Sequence, residues 1–184
     1  MADLDTSLVL VALRRLAEVA QLRWVGSGGR LVLMGGASGM LAGALSPARV
    51  TADCDVVWSG DAPGWAILQG AARQVAAELG LPANWLNDDV RMYVWRLPVG
   101  WFARCEPVLT AGPLEIVRLS RGDLIGAKVI AGRVQDIEDV RAMRPTWVEF
   151  DAAEAHIERL EGEDLDRSRF ERARAIVGML RGTA

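Results

Sequence analysis

The sequence predicts an α/β protein, α+β in the segregation of its elements, with a small mixed β-sheet flanked by helices and a helical C-terminal segment. Three observations lead there. Short apolar runs of strand length, such as "RLVLM" at 30–34 and "DCDVVW" at 53–58, alternate with longer stretches of helical periodicity. Glycine and proline punctuate the junctions between them. Past residue 145 the strand-like runs cease and charged, helix-periodic sequence takes over, so the expected division is a core over 1–145 and a helical segment over 146–184.

The first helix is expected from Thr6 to about Trp24, with Leu8, Leu10, Val11, Leu13, Leu16, Val19, Ala20 and Leu22 at helical spacing and Asp5 or Thr6 as N-cap. "GSGG" at 26–29 ends it and turns the chain into the strand "RLVLM", which Gly35 and Gly36 close. "ASGMLAGAL" reads as a short helix, and "SPARVTAD" returns the chain to a second strand, Asp53 to Trp58. After the turn "GDAPGW", a helix is expected over Ala66 to Leu79 with Gly80 as its C′ glycine. "LPANWLNDDV" reads as a loop, "RMYVWRL" as a third strand and "GPLEIVRLS" as a fourth. Ser120 and Asp123 form a capping pair for a helix carrying Leu124, Ile125, Lys128, Val129 and Ala131. A further helix, Val134 to Met143, stops before Pro145. Two polar helices, Asp151 to Leu160 and Asp166 to Arg181, are expected to pack as a pair against the core, with His156 at the surface or rim and not a ligand.

At 184 residues, half of them apolar, the chain can bury a sizeable core. No apolar run reaches the length of a membrane span, and the start "MADLD" is acidic where a signal peptide is basic, so a cytoplasmic location is expected. Two cysteines and one histidine exclude a disulfide scaffold, a zinc cluster and a histidine triad. A net charge of −3 argues against coating nucleic acid through bulk positive charge. The seven tryptophans, Trp58, Trp65, Trp85, Trp95 and Trp101 among them, read first as packing and only second as base-stacking surfaces.

Asp53 and Asp55 lie two apart at a strand beginning, so both side chains point to one face with Cα atoms about 7 Å apart. Such a pair suits Mg²⁺, which takes one or two protein carboxylates plus substrate phosphates; it also suits a solvated strand end. Gly35 and Gly36 follow the preceding strand directly. A glycine turn there lets backbone N–H groups approach phosphates, and it equally serves a tight turn needing positive φ. The two roles, phosphate and metal, are complementary.

The arrangement "LMGGASGML…RVTADCDVV" resembles the nucleotidyltransferase superfamily built on the DNA polymerase β-like palm. It is similar, more narrowly, to the bacterial AbiEii-type nucleotidyltransferases of toxin–antitoxin systems and the neighbouring DUF6036 family, on "NWLNDDV" (84–90), "DLIGAKVIAGR" (123–133) and "QDIEDV" (135–140). The resemblance implies an enzyme using Mg²⁺ and a nucleoside triphosphate, with tRNA, a protein or a small molecule as acceptor and a cognate toxin or antitoxin as a further partner; the alternative is a catalytically inactive nucleotide- or partner-binding module with the same fold. The resemblance implies that Gly35 and Gly36 contact phosphates and that Asp53 and Asp55 bind the metal. It also implies that Lys128 reaches the same site, supported by Asp136 and Asp139. Arg49 and Thr51, just before the metal strand, are further candidates for binding the nucleotide, and Arg49 reads equally as a phosphate ligand or a surface arginine. A third acid on a later strand is part of the superfamily pattern, and the acid inside "PLEIVRL" is Glu115.

Lys128 is the one lysine among 21 basic residues. It shares a helical face with Leu124 and Ile125, so it is expected to point inward and to meet a carboxylate of Asp53, Asp55, Asp136 or Asp139.

Overall fold

A computed structural model describes residues 3–25, 27–163 and 167–182, the side chain of Arg167 excepted. Gly26 of the "GSGG" turn and Asp166, the expected start of the last helix, lie outside the described residues. The fold is a mixed α/β arrangement in two compact units, one of the residues up to Met92 with Arg104–Leu119, the other of Tyr93–Ala103 with the residues from Ser120 onward. The division expected at residue 145 thus falls inside the second unit.

The first unit contains helices α1 (Thr6–Gln21), α2 (Gly35–Leu41) and α3 (Ala62–Leu79) and strands β1 (Gly29–Leu33), β2 (Cys54–Trp58), β3 (Leu86–Asn87), β4 (Glu106–Ala111) and β5 (Leu114–Arg118). The sheet order is β3-β2-β1-β5-β4. Central β1 runs antiparallel to β2 and parallel to β5, β3 is parallel to β2, and β4 pairs antiparallel with β5. One face of the sheet is apolar and closed, with Leu31, Leu33, Cys54, Val56, Leu114 and Ile116 all buried. The register sets Arg30, Val32, Met34, Asp55, Val57 and Glu115 on the opposite face.

Several element ends differ from expectation, each for a local reason. Asp61 caps α3 by accepting from the Gly64 N–H at 2.8 Å, and Pro63 in the first turn starts the helix four residues before Ala66. Gly35 and Gly36 form the first turn of α2 instead of preceding it. "RMYVWRL" is not a strand: Asp89–Arg96 is a 3-10 helix with no buried residue, turned in by the Asp89 N–H donating to Asn87 Oδ1 at 3.1 Å. β3 and β4 were not expected. Gly80 caps α3 in the left-handed region at φ 67°, as read from the sequence. Trp85 is fully buried and donates to the Ala72 carbonyl, while Trp58 meets Trp24 edge-on at 5.8 Å. Trp95 is exposed.

The second unit contains α4 (Arg121–Ala131), α5 (Val134–Met143), α6 (Trp147–Glu161) and α7 (Arg167–Arg181). Ser120 caps α4, and Thr146 with Glu149 forms a capping box that begins α6 four residues before Asp151. α6 packs on α7 and on α4, and Phe150, Ile157, Leu160, Phe170 and Val177 of the two last helices are buried. Gly126 lies at the α4–α6 contact, where an added methyl would sit 3.4 Å from His156 Cδ2, at the edge of ordinary van der Waals contact.

His156 is buried, which corrects the expectation of a surface or rim histidine. Its Nε2–H donates to the Arg96 carbonyl at 2.8 Å, which leaves Nδ1 as an acceptor 3.5 Å from Arg159 Nη2. Burial first, and the Arg159 charge against it, hold its pKa below the ordinary 6.5, although the Arg96 carbonyl, Asp123 and Glu163 favour the charged form. Above that value the ring is neutral in both folded and unfolded chains, so its contribution is fully present. Below it the unfolded chain takes the proton first, so stability falls as pH drops, until the lower folded value is passed. Melting curves from pH 7.5 to 5.5 should therefore show an acid-side loss of stability, and His156→Gln should remove that component. An unchanged profile in the variant would rule this histidine out as its source.

Candidate active site

β1 delivers the chain to Gly35, whose φ of +52° is a left-handed conformation that side-chain-bearing residues rarely adopt. A Cβ at Gly35 would sit 3.1 Å from Asp55 Oδ2, and one at Gly36 would sit 3.2 Å from Thr51 Oγ1 and 3.4 Å from Arg49 Nη2. The double glycine therefore makes room for three side chains arriving from one later segment. That segment is fixed in turn. Thr51 is tied to Leu4 by paired backbone bonds of 2.8 and 2.9 Å, and its hydroxyl donates to the Asp53 carbonyl at 3.0 Å. The Met34 N–H donates to the Asp55 carbonyl at 2.9 Å, locking the start of β2 to the end of β1.

Asp53 precedes β2 and Asp55 is its second residue, both half-buried and on the partly open face of the sheet. Asn87, paired with Asp55 in the β2–β3 register, donates from Nδ2 to Asp53 Oδ2 at 3.2 Å. Sequence reasoning missed Asn87 as a site residue because nothing in "NWLNDDV" says that its two-residue strand lies beside β2. Cys54, between the acids, points to the closed face. Burial and then the flanking Asp53 and Asp55 charges push its thiol up to about 12, so it stays protonated and is no nucleophile.

Glu115 is not brought to this pair. It lies level with Arg30 at the far end of β1, and its carboxylate accepts from Arg30 Nε at 2.7 Å. Met34, level with Asp55, is four residues further on, or about 13 Å along the strand. One residue past the paired register, Leu119 donates its N–H to the Leu33 carbonyl, so an apolar residue occupies the β5 position level with Asp55. Among the described residues no cluster of three or more His, Cys, Asp or Glu is suited to hold a metal ion. Two carboxylates beside a glycine turn nevertheless fit Mg²⁺ arriving with a triphosphate, because Mg²⁺ takes its remaining ligands from phosphates and water.

The second unit holds the other predicted residues. Lys128 is buried, and its ammonium donates to Asp139 Oδ2 at 2.6 Å and Asp136 Oδ1 at 3.2 Å. Arg133 Nε donates to Asp136 Oδ2 at 2.6 Å, and Gln135 Nε2 to Asp139 Oδ1 at 3.3 Å. Asp136 also closes the N-terminus of α5 through the Arg133 N–H. The inward lysine and its carboxylate partners are thus as expected, and the cluster joins α4 to α5.

A family model described as "Nucleotidyltransferase of unknown function (DUF6036)" matches residues 12–152, a span that contains both the glycine–aspartate site and the lysine cluster. No curated protein matches the chain. Among solved structures, an antigenic nucleotidyltransferase-like protein from Paracoccidioides brasiliensis is similar at 17% identity and a TM-score of 0.49, over 93% of this chain and 95% of that one. Among the described residues no helix is long and apolar enough to cross a membrane.

Proposed function

Because the chain belongs to the DUF6036 nucleotidyltransferase family, we propose that it moves a nucleoside monophosphate from a triphosphate to an acceptor hydroxyl. The observation that carries this is the meeting of Gly35 and Gly36 with Asp55, Thr51 and Arg49 at one strand end. The Gly35–Gly36 backbone and Arg49 would receive the phosphates, and Asp53 and Asp55 would hold Mg²⁺, which supplies charge neutralisation for in-line displacement. The acceptor oxygen forms a bond to the α-phosphorus as the bond to pyrophosphate breaks, and the hydroxyl proton passes to solvent. tRNA and protein are the acceptors to assay first, and a role in a toxin–antitoxin pair is part of the same proposal. We give Asp136, Asp139 and Lys128 a structural role, since their charges already engage one another.

One observation favours a second reading. With Leu119 level with Asp55 and Glu115 at the far end of β1, the sheet carries no acid at the position from which a third carboxylate would act. A nucleotide-binding module without transfer activity is consistent with that. Melting curves with each of four NTPs at millimolar concentration, with and without Mg²⁺, test the binding common to both readings, and one NTP should raise the Tm only when Mg²⁺ is present. Transfer of α-phosphate label from that NTP to tRNA or protein then separates enzyme from module. No Tm shift with any NTP would remove both.

A further inference from the structure

We infer that Asn87 is a positioning residue for the cation site, aiming Asp53 from the neighbouring strand; this rests on the proposed nucleotide-binding reading. The orientation of its amide is fixed by chemistry. Asn87 Oδ1 accepts the Asp89 N–H at 3.1 Å, and Nδ2 donates to Asp53 Oδ2 at 3.2 Å. Exchanging the two ends would set oxygen against a carboxylate and nitrogen against an N–H donor. The β2–β3 pairing holds Asn87 directly beside Asp55, so one residue spans the metal pair, backbone beside one acid and side chain on the other.

The amide does two things. It holds Asp53 Oδ2 in place, leaving Oδ1 as the oxygen to be offered to a cation, and groups in this relation to a metal ligand commonly set affinity by 10- to 100-fold. It is also neutral, where an acid at the same place would add a third negative charge to the site. A site with two carboxylates and an amide holds a bare divalent cation weakly and holds it well only with phosphate oxygens. Cation binding here is therefore coupled to nucleotide binding.

Two variants test this with Mn²⁺ as probe, by electron paramagnetic resonance and melting curves, alone and with each of four α,β-methylene nucleoside triphosphates. Asn87→Ala gives up the Asp89 contact and so should melt somewhat lower than the unmodified protein in EDTA, and it should bind Mn²⁺–nucleotide about 10-fold more weakly. Asn87→Asp keeps the size and the Asp89 contact but sets a third acid against Asp53. It should melt lower in EDTA and gain more from Mn²⁺ alone than the unmodified protein does. Mn²⁺–nucleotide affinity within twofold in Asn87→Ala, or no added Mn²⁺ response in Asn87→Asp, overturns the inference while leaving nucleotide binding standing. Absence of Mn²⁺–nucleotide binding by the unmodified protein overturns the proposed function instead, and the Asn87→Asp response to Mn²⁺ alone still decides the role of Asn87.

Discussion

Replacing Lys128 with Met is expected to destabilise the second unit by about 3–5 kcal/mol, the range for removing one partner of a buried ion pair. The lysine, Asp136 and Asp139 are each under 5% exposed. Met fills the volume of the aliphatic stem but strips the ammonium from two buried carboxylates; Asp136 keeps Arg133, while Asp139 loses the lysine that offsets most of its desolvation. Keeping the apolar stem therefore does little to spare the fold. The compensating variant is Lys128→Met with Asp139→Leu. Asp136 keeps the Arg133 guanidinium at 2.6 Å, so no buried carboxylate is left without a cation. The double variant should recover most of the loss, since apolar replacement of a buried pair is often neutral. Denaturant melts of the four proteins in this cycle give the coupling energy directly. A single-variant loss below 1 kcal/mol would mean that the pair carries little of the α4–α5 junction.

Asp53→Asn with Asp55→Asn is the second large effect. At a nucleotide concentration 100 times its dissociation constant, bound Mg²⁺–NTP stabilises the folded protein by about 2.7 kcal/mol, and the double variant should lose all of it. In EDTA the variant should melt no lower than the unmodified protein, because two like charges on one sheet face repel when no cation lies between them. Retention of the Mg²⁺-dependent shift would remove the metal assignment. A large loss of stability in EDTA would assign the acids to structure instead.

Much of the fold was legible in residues that act locally. Asp5, Ser120, Gly80 and Pro145 mark helix ends through caps and forbidden backbone geometry, and those ends lie where such chemistry sets them. Asp61 with Pro63, and Thr146 with Glu149, carry the same signals and begin α3 and α6 earlier than apolar periodicity alone places them. What escaped was tertiary. "RMYVWRL" has strand composition, but it follows the turn set by Asn87 into a 3-10 helix with no buried residue. β4 carries Pro107 and a register shift between Pro107 and Leu109, which hide a strand from pattern reading. Of the candidate site, the glycines and acids announced themselves by spacing. Asn87, the isolation of Glu115 and the burial of His156 depend on which strands and helices are neighbours.

The pairing of β1 with β5 has a consequence for how the chain is made. Gly29 and Leu114 are partners in the sheet although 85 residues separate them (114 − 29). Contacts of such long sequence separation carry a loop-closure cost before they return any stability, and they slow folding. During synthesis the apolar strand "LVL" leaves the ribosome long before its β5 neighbour, so one edge of the central strand waits unpaired while about 80 residues are added at about 5–20 residues per second. For several seconds the nascent chain presents a hydrophobic strand edge of the kind that recruits other chains. Yield should therefore depend on translation speed and chaperone supply more than the finished protein's stability suggests. Any truncation before residue 114 would leave that edge open for good.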